Sequence, residues 1–300
     1  MDRLQTMSVF VAVAEQAGFA PAARHLKMSP PSVTRAVAAL EARLGARLFH
    51  RTTRSVRLTE AGERYLADCR RVLAEIEEAD RHAAGIHAAP RGMVSVSASA
   101  LFGRMIVAPI LFDLLDRYPD LSVTTMFVDR IVHLFDEGID VAIRIADLPD
   151  SSLSAIRVGS VRRVLCAAPG YLAARGRPRR PADLAGHETI DMMGMTPGRD
   201  WQFDGGGRSQ AFRPQSRLRV NGADTAIAAA IAGRGITRVL SYMVAAQLEA
   251  GTLEIVLEND EPPAVPIHVV HKEPGQTSTR VRAVVDHLVQ QLRTVPAIAS

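Results

Sequence analysis

Cysteine is scarce in this chain: two among 300 residues, Cys69 and Cys166. Thiols so far apart give neither a disulfide framework nor metal-ligand spacing, and they point to a reducing, cytoplasmic home. Long apolar runs are missing too. No stretch reaches the roughly eighteen residues that a membrane-spanning helix needs. The apolar run from Val9 to Ala14 is short and flanked by Asp2 and Glu15, so it reads as neither signal peptide nor anchor. Reaction chemistry has no visible carrier. His133, His187, His268, His271 and His287 are scattered, and no Gly-x-Ser-x-Gly elbow occurs. Gly205-Gly206-Gly207 follows Phe203 and reads as a hairpin turn rather than a phosphate loop. The pair Arg162-Arg163 and the arginines from 177 to 180 read as solvated loop charge. No enzyme activity, metal or cofactor is expected.

What is present is ordinary apolar content, 47%, enough for sizeable cores, in a length that suits two or three domains. The charge is uneven. Residues 1–58 hold nine Lys and Arg against three Asp and Glu, a net +6 that leaves about −2 of the chain's +4 for the remainder. A cationic end module on a near-neutral body suits a nucleic-acid binder.

Within that module the stretch from Ser29 to Gly45 reads as a helix. Ser29 is a good N-cap, Pro30 suits the first helical position, and Gly45 supplies the stop. Val33, Val37, Leu40 and Leu44 repeat with steps of four, three and four, one buried stripe. Pro31, Arg35 and Ala38 then lie opposite, with Ser32 and Thr34 on the flanks. Such a small, hydroxylated, cationic face fits a DNA major groove, although an ordinary surface helix with one arginine would share the pattern. Leu4, Met7, Phe10, Val11 and Ala14 mark an earlier helix broken at Ala17-Gly18, and Pro21 to Leu26 a second, with Ala22, Ala23 and Leu26 inward. Two helices across the tight Lys27-Met28 connection make a helix-turn-helix. Leu48 to Leu58 follows as a β-hairpin wing. Its turn lacks Gly and Asn, and Arg51 and Arg54 near the tip are placed for phosphate or the minor groove.

These residues resemble the winged helix-turn-helix of LysR-type transcriptional regulators. The resemblance is carried by Phe10-Val11-Ala12-Val13-Ala14-Glu15, Ala22-Ala23-Arg24-His25-Leu26, Ser29-Pro30-Pro31-Ser32-Val33-Thr34-Arg35, Leu40-Glu41, Leu44-Gly45, Leu48-Phe49-His50-Arg51-Thr52 and Leu58-Thr59-Glu60-Ala61-Gly62. It implies double-stranded DNA as partner, with Ser32, Thr34 and Arg35 as recognition-helix contacts and Arg51 and Arg54 as wing contacts. Ser29 and Pro31 belong to the same expected DNA face. Pro30 and Ala36 stand where the family often has Gln, and neither hydrogen-bonds a base edge. That departure predicts fewer direct base contacts and more reliance on phosphates and DNA shape.

Residues 59–89 read as a connecting helix capped by Thr59, with Glu60 and Glu63 in its first turn. Tyr65, Cys69, Val72, Ile76, Ala79, Ala83 and Ile86 alternate steps of four and three, a heptad seam. It either pairs two chains or packs on its own domain. The resemblance implies a homodimer through this linker, a dimer of dimers, and RNA polymerase as a further partner of an activator. In a seam Cys69 is structural rather than redox-active.

From residue 90 the pattern is α/β, with a hinge at Ala88 to Gly92. Strands are expected at 93–97, 121–128, 140–145, 161–167, 217–220, 236–240, 253–257 and 266–271. Helices are expected at 101–117 (kinked by Pro109), 130–137, 170–174, 223–232, 242–250 and 278–292. Alternation of this kind predicts a largely parallel sheet in each of two lobes. The resemblance continues in Glu137-Gly138-Ile139-Asp140-Val141-Ala142-Ile143-Arg144 and Cys166-Ala167-Ala168-Pro169-Gly170-Tyr171-Leu172, loosely over 190–215. It implies a two-lobed, periplasmic-binding-protein-like regulatory domain at 90–300, lobe I at about 93–161 and 266–300 and lobe II at about 162–265, after the DNA-binding domain at 1–58. Ligands of open α/β sheets lie outside the C-terminal strand ends. Three such ends enter helix starts, which favour anions: Ser99, Ala100 and Leu101; Asp129; and Asn221, Gly222 and Asp224. Arg144 adds a cation. Ser99 and Asp224 are also readable as plain caps, and Asp129 opposes an anion. The expectation is a regulator whose small-molecule effector, an organic anion as candidate, binds between the lobes. A carrier or enzyme with an N-terminal oligomerisation module is the competing class, and the basic helix and wing speak against it.

Overall fold

The computed structural model describes residues 2–51, 56–83, 89–149, 153–193, 200–205, 208–272 and 278–298. The chain divides into two compact units, residues 1–93 and 94–300.

The first unit contains α1 (Arg3–Glu15), α2 (Phe19–His25), α3 (Pro30–Leu44), the strands β1 (Phe49–Arg51) and β2 (Val56–Leu58), and α4 (Glu60–Ala83). Helix α1 packs against both α3 and α4, so its buried arc is broad. Met7, Val9, Phe10 and Val13 are buried, whereas Leu4 of the expected stripe is 39% exposed. The Phe10 ring meets Phe49 at 5.2 Å and Tyr65 at 5.5 Å, tying α1 to the wing and to α4. Burying a side chain of this size contributes about 1.5–3 kcal/mol. Lys27 takes the left-handed conformation (φ 52°) just past α2, the usual way to end a helix and turn into the next.

Helix α4 begins as the sequence predicts: Thr59 Oγ1 accepts the Gly62 N–H (3.0 Å) and donates to the Arg47 carbonyl (2.8 Å). A Cβ at Gly62 would strike the Leu48 carbonyl, so this close approach of helix and wing requires glycine. The heptad seam is corrected in its first half. Cys69 is fully buried in the core of this same unit, and Tyr65 and Val72 pack against that core. A helix with an apolar stripe first covers what its own chain offers, and here α1 and the wing lie within reach. Ile76 is half-buried, while the side chains of Ala79, Ala83 and Ile86 lie outside the described residues.

The second unit holds two five-stranded sheets. One has the order β4-β3-β5-β14-β6: β4 Leu121–Phe127, β3 Gly92–Ala98, β5 Val141–Ile145, β14 Val265–Lys272 and β6 Leu153–Val161. The other has the order β11-β8-β12-β7-β13: β11 Leu218–Val220, β8 Thr189–Met192, β12 Ile236–Leu240, β7 Arg163–Ala167 and β13 Glu254–Val256. The sheets are mixed rather than largely parallel. β3 and β5 run parallel, but β14 pairs antiparallel with β5 and β6, and β7 pairs antiparallel with β12 and β13. The chain leaves the first sheet after β6 and returns to it in β14, and strands entered directly from a crossover run against their neighbours. Beside the sheets lie α5 (Ala100–Phe102), a π-helical stretch at Gly103–Val107, α6 (Ala108–Arg117), α7 (Pro169–Arg175), α8 (Ala223–Ile231), α9 (Ala245–Glu249) and α10 (Thr279–Leu292). A hairpin of β9 (Trp201–Gly205) and β10 (Arg208–Phe212) stands apart. Residues 206–207 of its turn lie outside the described residues.

Two expected helices differ. The 101–117 helix is interrupted by the π-helical stretch just before Pro109, whose missing N–H accounts for the irregularity. Residues 130–137 form no helix. Glu137 accepts hydrogen bonds from the Arg130 guanidinium (2.8 Å) and the His133 N–H (3.1 Å), clamping an irregular loop. Its Val132, Leu134 and Ile139 bury against Ala142 and Val270. Arg130 foremost holds the Glu137 carboxyl down at about 2.

Candidate nucleic-acid interface and effector site

Helix α3 is framed as its sequence dictates. Ser29 Oγ accepts the Ser32 N–H at 3.3 Å, Pro30 stands at the first turn, and Gly45 closes the helix at φ 65°. Val33, Ala36, Val37 and Leu40 are buried. Leu44, expected in that stripe, is 39% exposed, because the helix outruns its neighbours there. Ala36 is 3% exposed, which corrects its reading as a lost base contact: it is a core position of this chain. The opposite face is open. Ser29, Pro31, Thr34 and Arg35 are exposed and Ser32 is partly so. Arg35 rests loosely on its own helix, Nε to the Pro31 carbonyl at 3.4 Å and an η-nitrogen to Ser32 Oγ at 3.5 Å, contacts long enough to yield to a better acceptor.

The wing strands pair antiparallel, Phe49 with Leu58, His50 with Arg57 and Arg51 with Val56. Glu41 pins their start: Oε1 accepts the N–H groups of Leu48 (2.8 Å) and Phe49 (3.2 Å). Helix α3 thus fixes the wing through Glu41, beside its buried stripe. Arg51 belongs to β1; Arg54 lies outside the described residues.

In the second unit the expected effector residues fall into two groups. Ser99 stands at the start of α5 but its hydroxyl caps nothing. The Ala100 N–H donates instead to Asp129 Oδ1 at 2.9 Å. At the start of α8, where Gly222 is the N-cap and Asn221 is exposed, Asp224 Oδ1 accepts the Thr225 N–H at 2.8 Å. Asp224 Oδ2 reaches the Arg104 guanidinium at 3.3 Å, joining the two segments. The Thr225 N–H, then Arg104, hold the Asp224 carboxyl below its usual range. Ser99, Ala100, Leu101, Asp129, Gly222 and Asp224 are thereby linked into one region through Arg104. Both helix starts already carry a carboxylate of the chain itself. Arg144 is not brought to them; its guanidinium donates to the Val132 carbonyl at 2.8 Å.

Sequence reasoning missed Arg104 and Tyr242. Tyr242 is 2% exposed, its ring stands edge-on to Phe102 at 5.1 Å, and its hydroxyl is turned to the Ser99 side chain. Ser99 Oγ is equally buried, and among the described residues the two hydroxyls have only each other as hydrogen-bonding neighbours. Burial pushes the Tyr242 phenol up, so it is neutral at physiological pH. The strand-end rule that singled out Ser99 would have found Tyr242 too, since β12 ends at Leu240 and a helical turn begins at Ser241. Both thiols are buried, and burial foremost pushes Cys69, beside the Tyr65 hydroxyl, to about 11 and Cys166 to about 12. Among the described residues no three His, Cys, Asp or Glu side chains gather as a metal site.

An exposed polar helix face, a paired wing and a second α/β unit meet their counterparts in known proteins. Residues 4–63 match the bacterial regulatory helix-turn-helix protein, lysR family, and residues 87–293 match the LysR substrate binding domain. The chain belongs to the LysR family. It is 34% identical over 289 residues to the HTH-type transcriptional activator AaeR of Escherichia coli K12, covering 96% of this chain and 93% of that protein. It is 32% identical over 303 residues to an HTH-type transcriptional repressor of Pseudomonas aeruginosa, covering 99% and 95%. Among solved structures, CrgA, a LysR-type transcriptional regulator from Neisseria meningitidis, superimposes with TM-score 0.62 at 27% identity, covering 96% of this chain and 98% of that one. This LysR-family chain is therefore a DNA-binding transcriptional regulator with an effector-binding domain, not an enzyme, and its family forms oligomers. Among the described residues no helix is long and apolar enough to cross a membrane.

Proposed function

We propose that this regulator, working in the cytoplasm, reads its operator through Ser29, Pro31, Ser32, Thr34 and Arg35 of α3 and through Arg51 and Arg54 of the wing. The observation that carries this reading is the division of α3 into a buried stripe and an open hydroxyl-and-guanidinium face. With Pro30 exposed and unable to donate, readout rests on Arg35 and on phosphates. The functional parts are the DNA-binding domain at 1–58, the linker at 59–89 and the effector domain at 90–300, its lobes at 93–161 with 266–300 and at 162–265. The linker pairs two chains through its distal half, from Ile76 onward, because Tyr65, Cys69 and Val72 are already committed to their own core. A dimer of dimers follows the same pairing, with RNA polymerase as a partner if the protein activates.

The effector binds where α5 and α8 begin, at Ser99, Ala100, Leu101, Asp129, Asn221, Gly222 and Asp224, with Arg144 as an outlying cation. The buried hydroxyl pair of Ser99 and Tyr242, with no further partner among the described residues, favours an effector with a hydrogen-bonding group. An organic anion would have to displace Asp129 or Asp224 from the N–H groups they hold. A mobility shift with the promoter DNA beside the gene tests the operator reading, with a retarded complex expected and none contradicting it. Sedimentation of Ile76→Asp tests the linker. The charge should abolish the dimer and with it most operator affinity, whereas an intact dimer would mean that pairing lies elsewhere.

A further inference from the structure

Strand β14 is flanked by β5 on one side and β6 on the other, and the pairing places three basic side chains in line. His268 stands opposite Arg144 on β5 and, beside a β-bulge between Ile267 and His268, opposite Arg157 on β6. The three share one sheet face, since Ile143, Val158, Ile267 and Val269, the residues next to them along the strands, all belong to the core on the other side. Side chains directly opposite in a sheet have Cβ atoms about 4.5–5.5 Å apart, and like charges there repel. Guanidinium groups stay protonated, so the two arginines that flank His268 keep their positive charge.

Among the described residues nothing negative answers this row. Arg144 gives one η-nitrogen to the Val132 carbonyl at 2.8 Å and makes no ion pair. The Arg157 side chain is exposed and has no hydrogen bond or ion pair, although its backbone carbonyl accepts from Arg293 at 3.2 Å. His268 Nδ1 is buried and unpartnered. The neighbouring carboxylate Asp147 lies in the field of Arg163.

We infer that Arg144, His268 and Arg157 form a binding site for an oxyanion, a carboxylate or phosphate group of a small molecule. Two guanidinium forks flanking an imidazole match the planar carboxylate or the phosphate edge, which accept paired N–H donors. The anion supplies the charge that the row lacks and gives His268 a hydrogen-bond partner. Arg144 is common to this row and to the effector set, but the row rests on strand register and stands whether or not an effector binds at Ser99.

The test is a thermal-shift titration of the full-length chain with inorganic phosphate and, separately, with sodium acetate, against sodium chloride at matched ionic strength. The wild type should show a saturable rise in Tm of about 2–4 °C with at least one oxyanion and none with chloride. The two salts separate phosphate from carboxylate preference. Arg157→Ala, an exposed position, should lose the response, and His268→Gln should weaken it at least about tenfold by calorimetry, the loss of one charge-assisted contact. Ser99→Ala should leave it unchanged. A response equal in chloride, or unaffected by Arg157→Ala and His268→Gln, overturns the site. A response lost in Ser99→Ala but kept in Arg157→Ala would place the anion at the helix starts and equally overturn it.

Discussion

The start of α3 and the starts of α5 and α8 are all helix N-termini, yet they leave different things to a ligand. At α3 the cap is the neutral Ser29 hydroxyl, which lies 2.8 Å from Ser32 Oγ; Thr34 Oγ1 donates to the Pro30 carbonyl at 3.0 Å, and Arg35 makes only long contacts with its own helix. At α5 and α8 the chain has filled the anion-favouring position with Asp129 and Asp224, and Asp224 further engages Arg104. At α3 the Arg35 guanidinium can turn to a polyanion by giving up only long contacts. The other two must exchange an internal partner, which makes their occupancy conditional. That contrast suits a fixed DNA reader joined to a responsive sensor, because a ligand shifts a conformational balance only by binding one form better than the other.

The contrast can be broken from the core outward. The largest expected effect is on the frame of α3. Leu40→Ala removes a fully buried side chain and should cost the first unit about 2–5 kcal/mol in chemical denaturation, and operator affinity with it. A near-neutral result would mean that the open face is not held by the buried stripe. Smaller, and opposite in character, is Ser99→Ala. Its hydroxyl caps nothing and meets only the Tyr242 hydroxyl, so stability should change little, whereas effector affinity should fall by about tenfold with effector-free DNA binding intact. Calorimetry with the effector beside a DNA titration checks both. A loss of stability would restore Ser99 to the role of cap. Smallest is Arg104→Ala. Both partners of the Arg104–Asp224 pair are more than half exposed, so thermal melting should register about 0–1 kcal/mol. A drop well beyond that would show the pair to be a structural tie instead of an exchangeable contact.

What was legible in the sequence follows the range of the interactions. The ends of α3 are written in Ser29, Pro30 and Gly45, which act within a turn, and β12 is bounded as its apolar run predicts. Strand register, sheet order and the return of the chain into β14 depend on partners far along the chain, so the mixed sheets were not readable. Residues 130–137 show the conflict directly. Their spacing looks helical, but the Arg130–Glu137 clamp and the burial of Val132 and Leu134 against Val270 outweigh local propensity. The same holds at the effector region. Ser99, Asp129 and Asp224 were found by the strand-end rule, whereas Arg104, Tyr242 and the row at His268 became visible only when distant segments were brought side by side.

The central claim is that the open face of α3 reads DNA sequence through Arg35. The most direct measurement is the affinity of wild type and Arg35→Ala for the promoter fragment and for a scrambled duplex of equal length, at one fixed salt concentration. The account predicts that Arg35→Ala loses about 1–3 kcal/mol on the promoter and much less on the scrambled duplex, with thermal stability unchanged. Equal losses on both would reduce Arg35 to a phosphate contact, and unaltered promoter affinity in a folded variant would contradict the claim outright.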